Sequence, residues 1–354
     1  MKTRFDVLVA GAGPAGSAAA LDLSRRGLSV ALIEQDNYQA PRVGETLPPM
    51  IRHPLMALGV WERFRECEPL ESYGIRTAWD TPEPRHQDFL RNPYGNGWHV
   101  DRARFDAMLA SAAADAGASI FLPARAGACR KIADGPWHLE VAQGGKTLAL
   151  GGRLLVDATG RKALLATRQG SQPRVTDRLI GAVTFSETRE PAQWTLIEAV
   201  EDGWWYSAPL PGNRMVFAFM TDSDLWRNPA WSDLVTRAPL TFERAGRLPI
   251  PPPFQIVSAA SVVRCPVAAP GWIAVGDAAL AFDPLSGQGV YKSLETAGRA
   301  AAAIARHLDG DSSAFPEYES AVAESYRLYL SQRSQFYRSV QRWPRSPFWQ
   351  RRLA

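Results

Sequence analysis

The chain has 354 residues, of which 46% are hydrophobic and 21% charged, and a formal net charge of +4. That composition excludes a disordered chain, and so small a basic excess does not point to nucleic acid. Three widely spaced cysteines (Cys67, Cys129 and Cys265), with no CxxC pair, exclude a disulfide framework and a cysteine zinc site, which suits a reducing compartment.

The uncharged N-terminal run, residues 7–21, is interrupted by glycines and a proline and is too short for the roughly 20 residues of a membrane-spanning helix. A cytoplasmic protein without a membrane span is therefore expected. Residues 5–10 (FDVLVA) predict a buried parallel strand. The glycine-rich turn Gly11-Ala12-Gly13-Pro14-Ala15-Gly16 follows, then a helix, then a second apolar run ending at Glu34. In this order Gly11 permits the tight turn, Gly13 lets a pyrophosphate approach the backbone, and Gly16 lets helix and strand pack closely. The helix start, with Pro14 and Ala15, offers free N–H groups to phosphate, and Glu34 can accept from ribose hydroxyls. These residues predict dinucleotide binding and by themselves leave FAD and NAD open.

Two later segments resolve that choice. Residues 154–161 (LLVDATGR) predict a strand ending at Asp157, with Gly160 in the turn beyond it. Residues 272–279 (WIAVGDAA) predict another, leading to Pro284-Leu285-Ser286-Gly287-Gln288-Gly289 and a new helix. In this order the motifs resemble the FAD-dependent monooxygenases, flavin-dependent halogenases and geranylgeranyl-type reductases over nearly the whole chain. The resemblance implies an α/β fold: a three-layer, Rossmann-like FAD-binding domain with a parallel sheet, an antiparallel substrate sheet and a helical C-terminal segment. It implies that Gly276 lets the chain approach the ribityl chain and that Asp277 binds a ribityl hydroxyl or the phosphates. Pro284, Gly287, Gln288 and Gly289 would set N–H groups against the flavin pyrimidine edge. Arg102 matches an arginine that opens a helix near the cofactor, and Ala126 a strand backbone beside adenine.

Residues 40–49 (APRVGETLPP) resemble that family's flavin-side strap. Its prolines predict an extended loop. Arg42 and Gly44 would contact the cofactor, and Glu45 is either catalytic or a structural cap. Between residues 179 and 263, alternating apolar runs separated by Pro and Gly predict the antiparallel sheet. There Gly203-Trp204-Trp205-Tyr206-Ser207-Ala208-Pro209 partly matches a halogenase and reductase motif, with Tyr206 and Ala208 where tryptophan halogenases carry tryptophan and isoleucine. Trp204 and Tyr206 either screen the flavin and touch an aromatic substrate, or are sheet core. The expected division is 1–68, 99–178 and 262–325 for the FAD domain, 69–98 and 179–261 for the substrate sheet, and 326–354 for the C-terminal segment.

Tryptophan halogenases need a lysine in the stretch matching residues 65–76, yet no lysine lies between Lys2 and Lys131. Arg76 cannot replace it, because a guanidinium stays protonated and is a poor nucleophile. Halogenation is thus disfavoured, and the resemblance implies direct hydroxylation by a flavin C4a-hydroperoxide. The five histidines show no metal spacing and no metal is expected, although His53 and His99 could approach the flavin. From Tyr326 onward the chain carries seven arginines and no acid, interleaved with aromatics. Two readings stay open: an aromatic helix face on the FAD domain with its arginines in water, or a docking surface. Pro344 and Pro347 are expected to break any helix.

The tail, the GETLPP segment and the missing lysine are similar to flavoprotein maturases that hydroxylate tryptophan in precursors of tryptophylquinone enzymes. The expected function is an FAD monooxygenase for an aromatic substrate, with a precursor protein as one candidate and NAD(P)H or a flavin reductase as electron donor. The rivals are a reductase of isoprenoid double bonds and an assembly factor whose flavin does not turn over.

Overall fold

A computed structural model describes residues 2–132, 135–188, 192–246 and 254–353. Its central sheet forms from the short apolar runs that the sequence marks as strands. Arg4–Ala10 lies parallel between Val30–Ile33 and Lys146–Asp157, with Ser119–Phe121 beyond one neighbour and Trp272–Ala274 beyond the other, also parallel. Val7, Leu8, Val9 and Ala10 are fully buried, as strands covered on both faces must be. Helix Pro14–Arg25 packs against helices Arg102–Asp115 and Gly289–Leu308.

A seven-stranded sheet forms the second layer system. Its order is Gln255–Ser258, Leu179–Glu187, Arg214–Asp222, Gly203–Leu210, Thr195–Val200, Gly74–Ala78, Arg85–Asp88. All pairings are antiparallel except Thr195–Val200 with Gly74–Ala78, which is parallel. The expected antiparallel sheet thus contains one parallel pair, where a strand from the first half of the chain adds in the same direction. Between the two sheets sits a small antiparallel one of Thr46–Leu47, Gly97–His99 and Leu70–Ser72.

The C-terminal segment departs most from expectation. A single helix, Ala314–Arg338, runs through residue 326, where a boundary was expected. Tyr318, Val322, Tyr326 and Tyr329 join the core of the parallel sheet. Tyr337, Val340, Phe348 and Trp349 join instead the cluster containing Trp79 and Trp204 of the other sheet. Pro347 opens a helix, Pro347–Leu353, rather than breaking one; the first helical position needs no N–H. Nor do all the arginines face water, since Arg333 and Arg352 are buried against Asp283 and Asp222.

Where the first turn meets the DATG turn, the backbone leaves no room. A Cβ on Gly16 would lie 1.8 Å from the Gly11 carbonyl oxygen and 2.9 Å from the Ala158 Cβ. Gly16→Ala should therefore cost about 1–3 kcal/mol of stability through overpacking, read as a lower denaturant midpoint of the flavin-free protein.

Candidate functional site

One cavity of about 710 Å³ runs from the glycine-rich turn to the inner face of the seven-stranded sheet. Its volume is that of a cofactor or ligand site. Gly11, Gly13, Pro14 and Ala15 line one end, with Glu34, Arg42 and Ala126. Gly44, Glu45, Arg102 and Gly160 line the middle, Asp277, Pro284, Gly287 and Gly289 the adjoining wall, and Tyr206 the sheet side. The fold thus brings together residues that are far apart in sequence.

Five candidates lie behind the wall. Gly16 and Gly276 are spacers: a Cβ on Gly276 would lie 2.6 Å from that of Ala15. Asp157 is buried and accepts from the Thr159 amide at 2.9 Å and the Ala166 amide at 2.7 Å, so it shapes the turn that carries Gly160. Gln288 precedes helix Gly289–Leu308. Trp204, one of three residues offered as catalytic, is fully buried, and its indole N–H donates to the Tyr337 hydroxyl at 3.0 Å. The C-terminal segment covers it, so of its two readings the sheet-core one holds.

The dinucleotide end fits the expected cofactor. Helix Pro14–Arg25 starts at Gly13 with no side-chain cap, and a Cβ on Gly13 would meet nothing within 4 Å. An uncapped helix start facing open space is an anion site. The Glu34 carboxylate already accepts from the Ala12 amide at 2.7 Å and the Asp36 amide at 2.9 Å. It thereby holds the turn and keeps lone pairs for a ribose. Buried Asp106 anchors both Arg42, at 3.2 Å, and Arg102, at 3.0 Å, so neither guanidinium swings freely. Arg102 also donates to the Val43 carbonyl at 2.6 Å, fixing the strap.

Asp277 meets Lys292 at 2.6 Å and Arg161 at 3.5 Å. Burial opposes its ionisation, but the two cations outweigh burial and hold the carboxyl below its ordinary range. Lys292 was not anticipated from sequence. It lies on the buried face of helix Gly289–Leu308 with Val290, Leu294 and Thr296. A lysine on the apolar face of an amphipathic helix, downstream of an isolated Gly-Asp, was the available signal.

The sheet end is uncharged in character. Ile75, Phe89, Val183, Ile197 and Met220 line it, with Ser72, Thr195, Glu45 and Tyr206 as its polar groups. The Tyr206 and Thr46 hydroxyls lie 2.5 Å apart, and Thr46 Oγ1 lies 3.0 Å from His99 Nδ1. Burial pushes Glu45 and Tyr206 up, favouring their protonated forms, and with the nearby positive Arg244 it lowers His99 to about 3. His53, by contrast, stacks edge-on with Tyr94 at 4.7 Å and is absent from the cavity wall.

Residues 4–325 match the FAD binding domain family, and the chain belongs to it. It is an FAD-dependent oxidoreductase, with FAD as its cofactor. The chain is 29% identical to LodB of Marinomonas mediterranea, provisionally named an FAD-dependent oxidoreductase, over 99% of this chain and 97% of LodB. The myxobacterial chondrochloren halogenase CndH superposes with a TM-score of 0.88 at 25% identity, covering 99% of this chain and 86% of CndH. QhpG, a peptidyl tryptophan dihydroxylase essential for tryptophylquinone cofactor biogenesis, gives 0.79 at 23% identity over 99% and 78% respectively, which shows a shared fold.

Two outcomes follow from this geometry. Gly13→Val should still fold, since a Cβ there meets nothing within 4 Å, at a cost of about 1 kcal/mol for a poorer helix cap, yet purify without FAD; absorbance of the purified variant reads this directly. His99 must be neutral to stay buried, so its contribution to stability is complete above its unfolded value near 6.5 and is lost as pH falls toward 3. By pH 5 the loss is about 2 kcal/mol. Denaturant titrations of His99→Asn should lack that part of the pH slope.

Proposed function

We propose that this chain is a monooxygenase that inserts one oxygen atom of O₂ into an aromatic substrate, with a protein-bound tryptophan as the favoured one. FAD, once reduced by NAD(P)H or a flavin reductase, supplies the electrons that send the second oxygen atom to water. The observation that carries this reading is the cavity's asymmetry: charged groups hold one end, and the sheet end offers an apolar slot with a neutral polar rim.

The chain's own residues bind, orient and exclude water. Ile75, Phe89, Ile197 and Met220 suit the faces and edges of an aromatic ring and keep the reacting region dry. Ser72 Oγ, Thr195 Oγ1 and Glu45 Oε2 are buried and have no protein partner. An indole N–H entering the slot would satisfy one of them, and buried polar atoms favour a ligand that does so. Burial pushes Glu45 and Tyr206 up, and the neutral Tyr206 hydroxyl can hold a hydrogen bond without placing a charge beside the ring.

Halogenation is the competing reading, supported by the likeness to CndH. In the stretch matching residues 65–76 the cavity wall is formed by Ser72 and Ile75, while the Arg76 side chain stacks on Trp194 at 5.3 Å. Among the described residues the lysine that lines the cavity is Lys162, on the turn following Ala158, away from the sheet. The likeness to QhpG supports hydroxylation of a protein-bound tryptophan, and among the described residues the sheet end of the wall presents no lysine amine for hypohalous acid chemistry.

Aerobic turnover of the reduced holoenzyme with tryptophan-containing precursor peptides, followed by mass spectrometry, tests the proposal. Product heavier by oxygen is expected, with the label coming from ¹⁸O₂. Halogenated product in bromide buffer, or oxygen-independent saturation of an isoprenoid, would refute it. Tyr206→Phe removes a neutral hydrogen bond and should lower kcat/KM by about five- to tenfold.

A further inference from the structure

The aromatic and arginine-rich C-terminal segment has no part in the reading above, yet it grips a loop that lines the cavity. We infer that Tyr329, Arg333 and Tyr337 on the C-terminal helix are positioning residues for the loop of residues 284–289, acting through Asp283. Through this grip they set both the affinity for FAD and its reduction potential.

Asp283 is fully buried and immediately precedes the loop whose Pro284, Gly287 and Gly289 line the cavity. Each of its polar groups is held. The Oδ2 atom accepts from the Tyr337 hydroxyl at 2.7 Å and from Arg333 Nε at 3.1 Å. Its amide donates to the Tyr329 hydroxyl at 2.7 Å. Oδ1 accepts from the Leu285 amide at 2.9 Å and so caps the first turn of the loop. Phe282, one residue earlier, stacks on Tyr329 with centroids 4.0 Å apart.

The helix is itself tethered on its other side. Arg333 also pairs with Asp177 at 2.9 Å. The Tyr337 hydroxyl accepts from Trp204 of the substrate sheet. Beyond it, Arg352 pairs with Asp222 at 2.7 Å and Trp349 donates to the Val200 carbonyl at 3.0 Å. A chain of hydrogen bonds therefore runs from the substrate sheet through Trp204 and Tyr337 to Asp283 and the loop. The two layers meet at one carboxylate.

The loop leads into the uncapped start of a 20-residue helix, Gly289–Leu308. Backbone N–H groups there favour negative charge on a reduced ring only while they point at it. Fixed donors cost no reorganisation, whereas a loop released from Asp283 must be ordered by the flavin itself. Loosening the grip should weaken FAD binding and move its potential to more negative values. The inference rests on the family's FAD cofactor and not on hydroxylation, so the two fail independently.

The test uses full-length holoprotein carrying Tyr337→Phe, which keeps the ring in its aromatic cluster, or Asp283→Asn, which keeps the shape of the cap. FAD dissociation is followed by flavin fluorescence, the potential by equilibration with reference dyes, and folding by thermal unfolding. Both variants should bind FAD about tenfold more weakly and show a more negative potential. Arg333→Lys, which retains the charge, should lose less affinity than Arg333→Gln. Arg351→Gln removes an exposed tail contact to Asp222 and Asp224; it should lower the unfolding midpoint while affinity and potential stay put. If Tyr337→Phe and Asp283→Asn unfold earlier yet keep FAD affinity within roughly twofold at the wild-type potential, the residues only pack and the inference falls. Should Tyr337→Phe not fold, Asp283→Asn decides alone.

Discussion

Everything in this molecule depends on how closely two turns approach each other at the end of the parallel sheet. A Cβ on Gly11 would lie 2.3 Å from the Ala158 carbonyl oxygen, and Gly11 itself adopts φ +97°. Strands Arg4–Ala10 and Lys146–Asp157 are in register up to Ala10 and Asp157, so their turns emerge side by side. Hydrogen bonding continues past the strands, with the Ala158 amide donating to the Ala10 carbonyl at 2.8 Å. Only a glycine satisfies both the left-handed conformation and the contact. Helix Pro14–Arg25 is thereby drawn up to the sheet with its start facing the cavity. Glu34, on the next strand, then bonds Ala12 and locks the turn from the other side.

From that junction the electrostatics divide the cavity in two. At the dinucleotide end and the adjoining wall several cations are paired to carboxylates: Arg42 to Asp36 and Asp106, Arg102 to Asp106, Lys292 to Asp277. Buried pairs of this kind add little net stability, because desolvation offsets most of the attraction. Their worth lies in fixed position, since a cofactor then meets donors that need not be reordered. At the sheet end burial outweighs the neighbouring charges: it pushes Glu45 and Tyr206 up and, with Arg244, holds His99 neutral. One end suits phosphates and the other an apolar guest.

The parts legible in the sequence are those fixed by local chemistry. The glycine turn, the strand runs and the Gly-Asp turn each reflect constraints acting within a few residues, and they appear where expected. Long-range pairings left weaker marks. Nothing near Gly74–Ala78 announces a parallel partner more than a hundred residues away. Lys292 stands on the apolar face of its helix, but the sequence does not name Asp277 as its partner. Arginines in the tail read as solvated because composition does not reveal which carboxylate each one meets. Pro347 reads as a breaker in the sequence, yet it occupies a helix start, a position that proline favours.

Trp204 and Tyr206 show why the site itself was only half readable. They are two residues apart on Gly203–Leu210, and strand periodicity therefore points both to the same face. That face is shared. Tyr337, Phe348 and Trp349 cover the Trp204 portion, while Tyr206, Ile197 and Val183 border the cavity. Strand pattern alone assigns the face, but not which part of it stays open; that is decided by where the last stretch of chain lies down. The C-terminal segment thus does for the substrate sheet what the glycine turn does for the cofactor end. It sets the limit of a space by occupying what lies next to it.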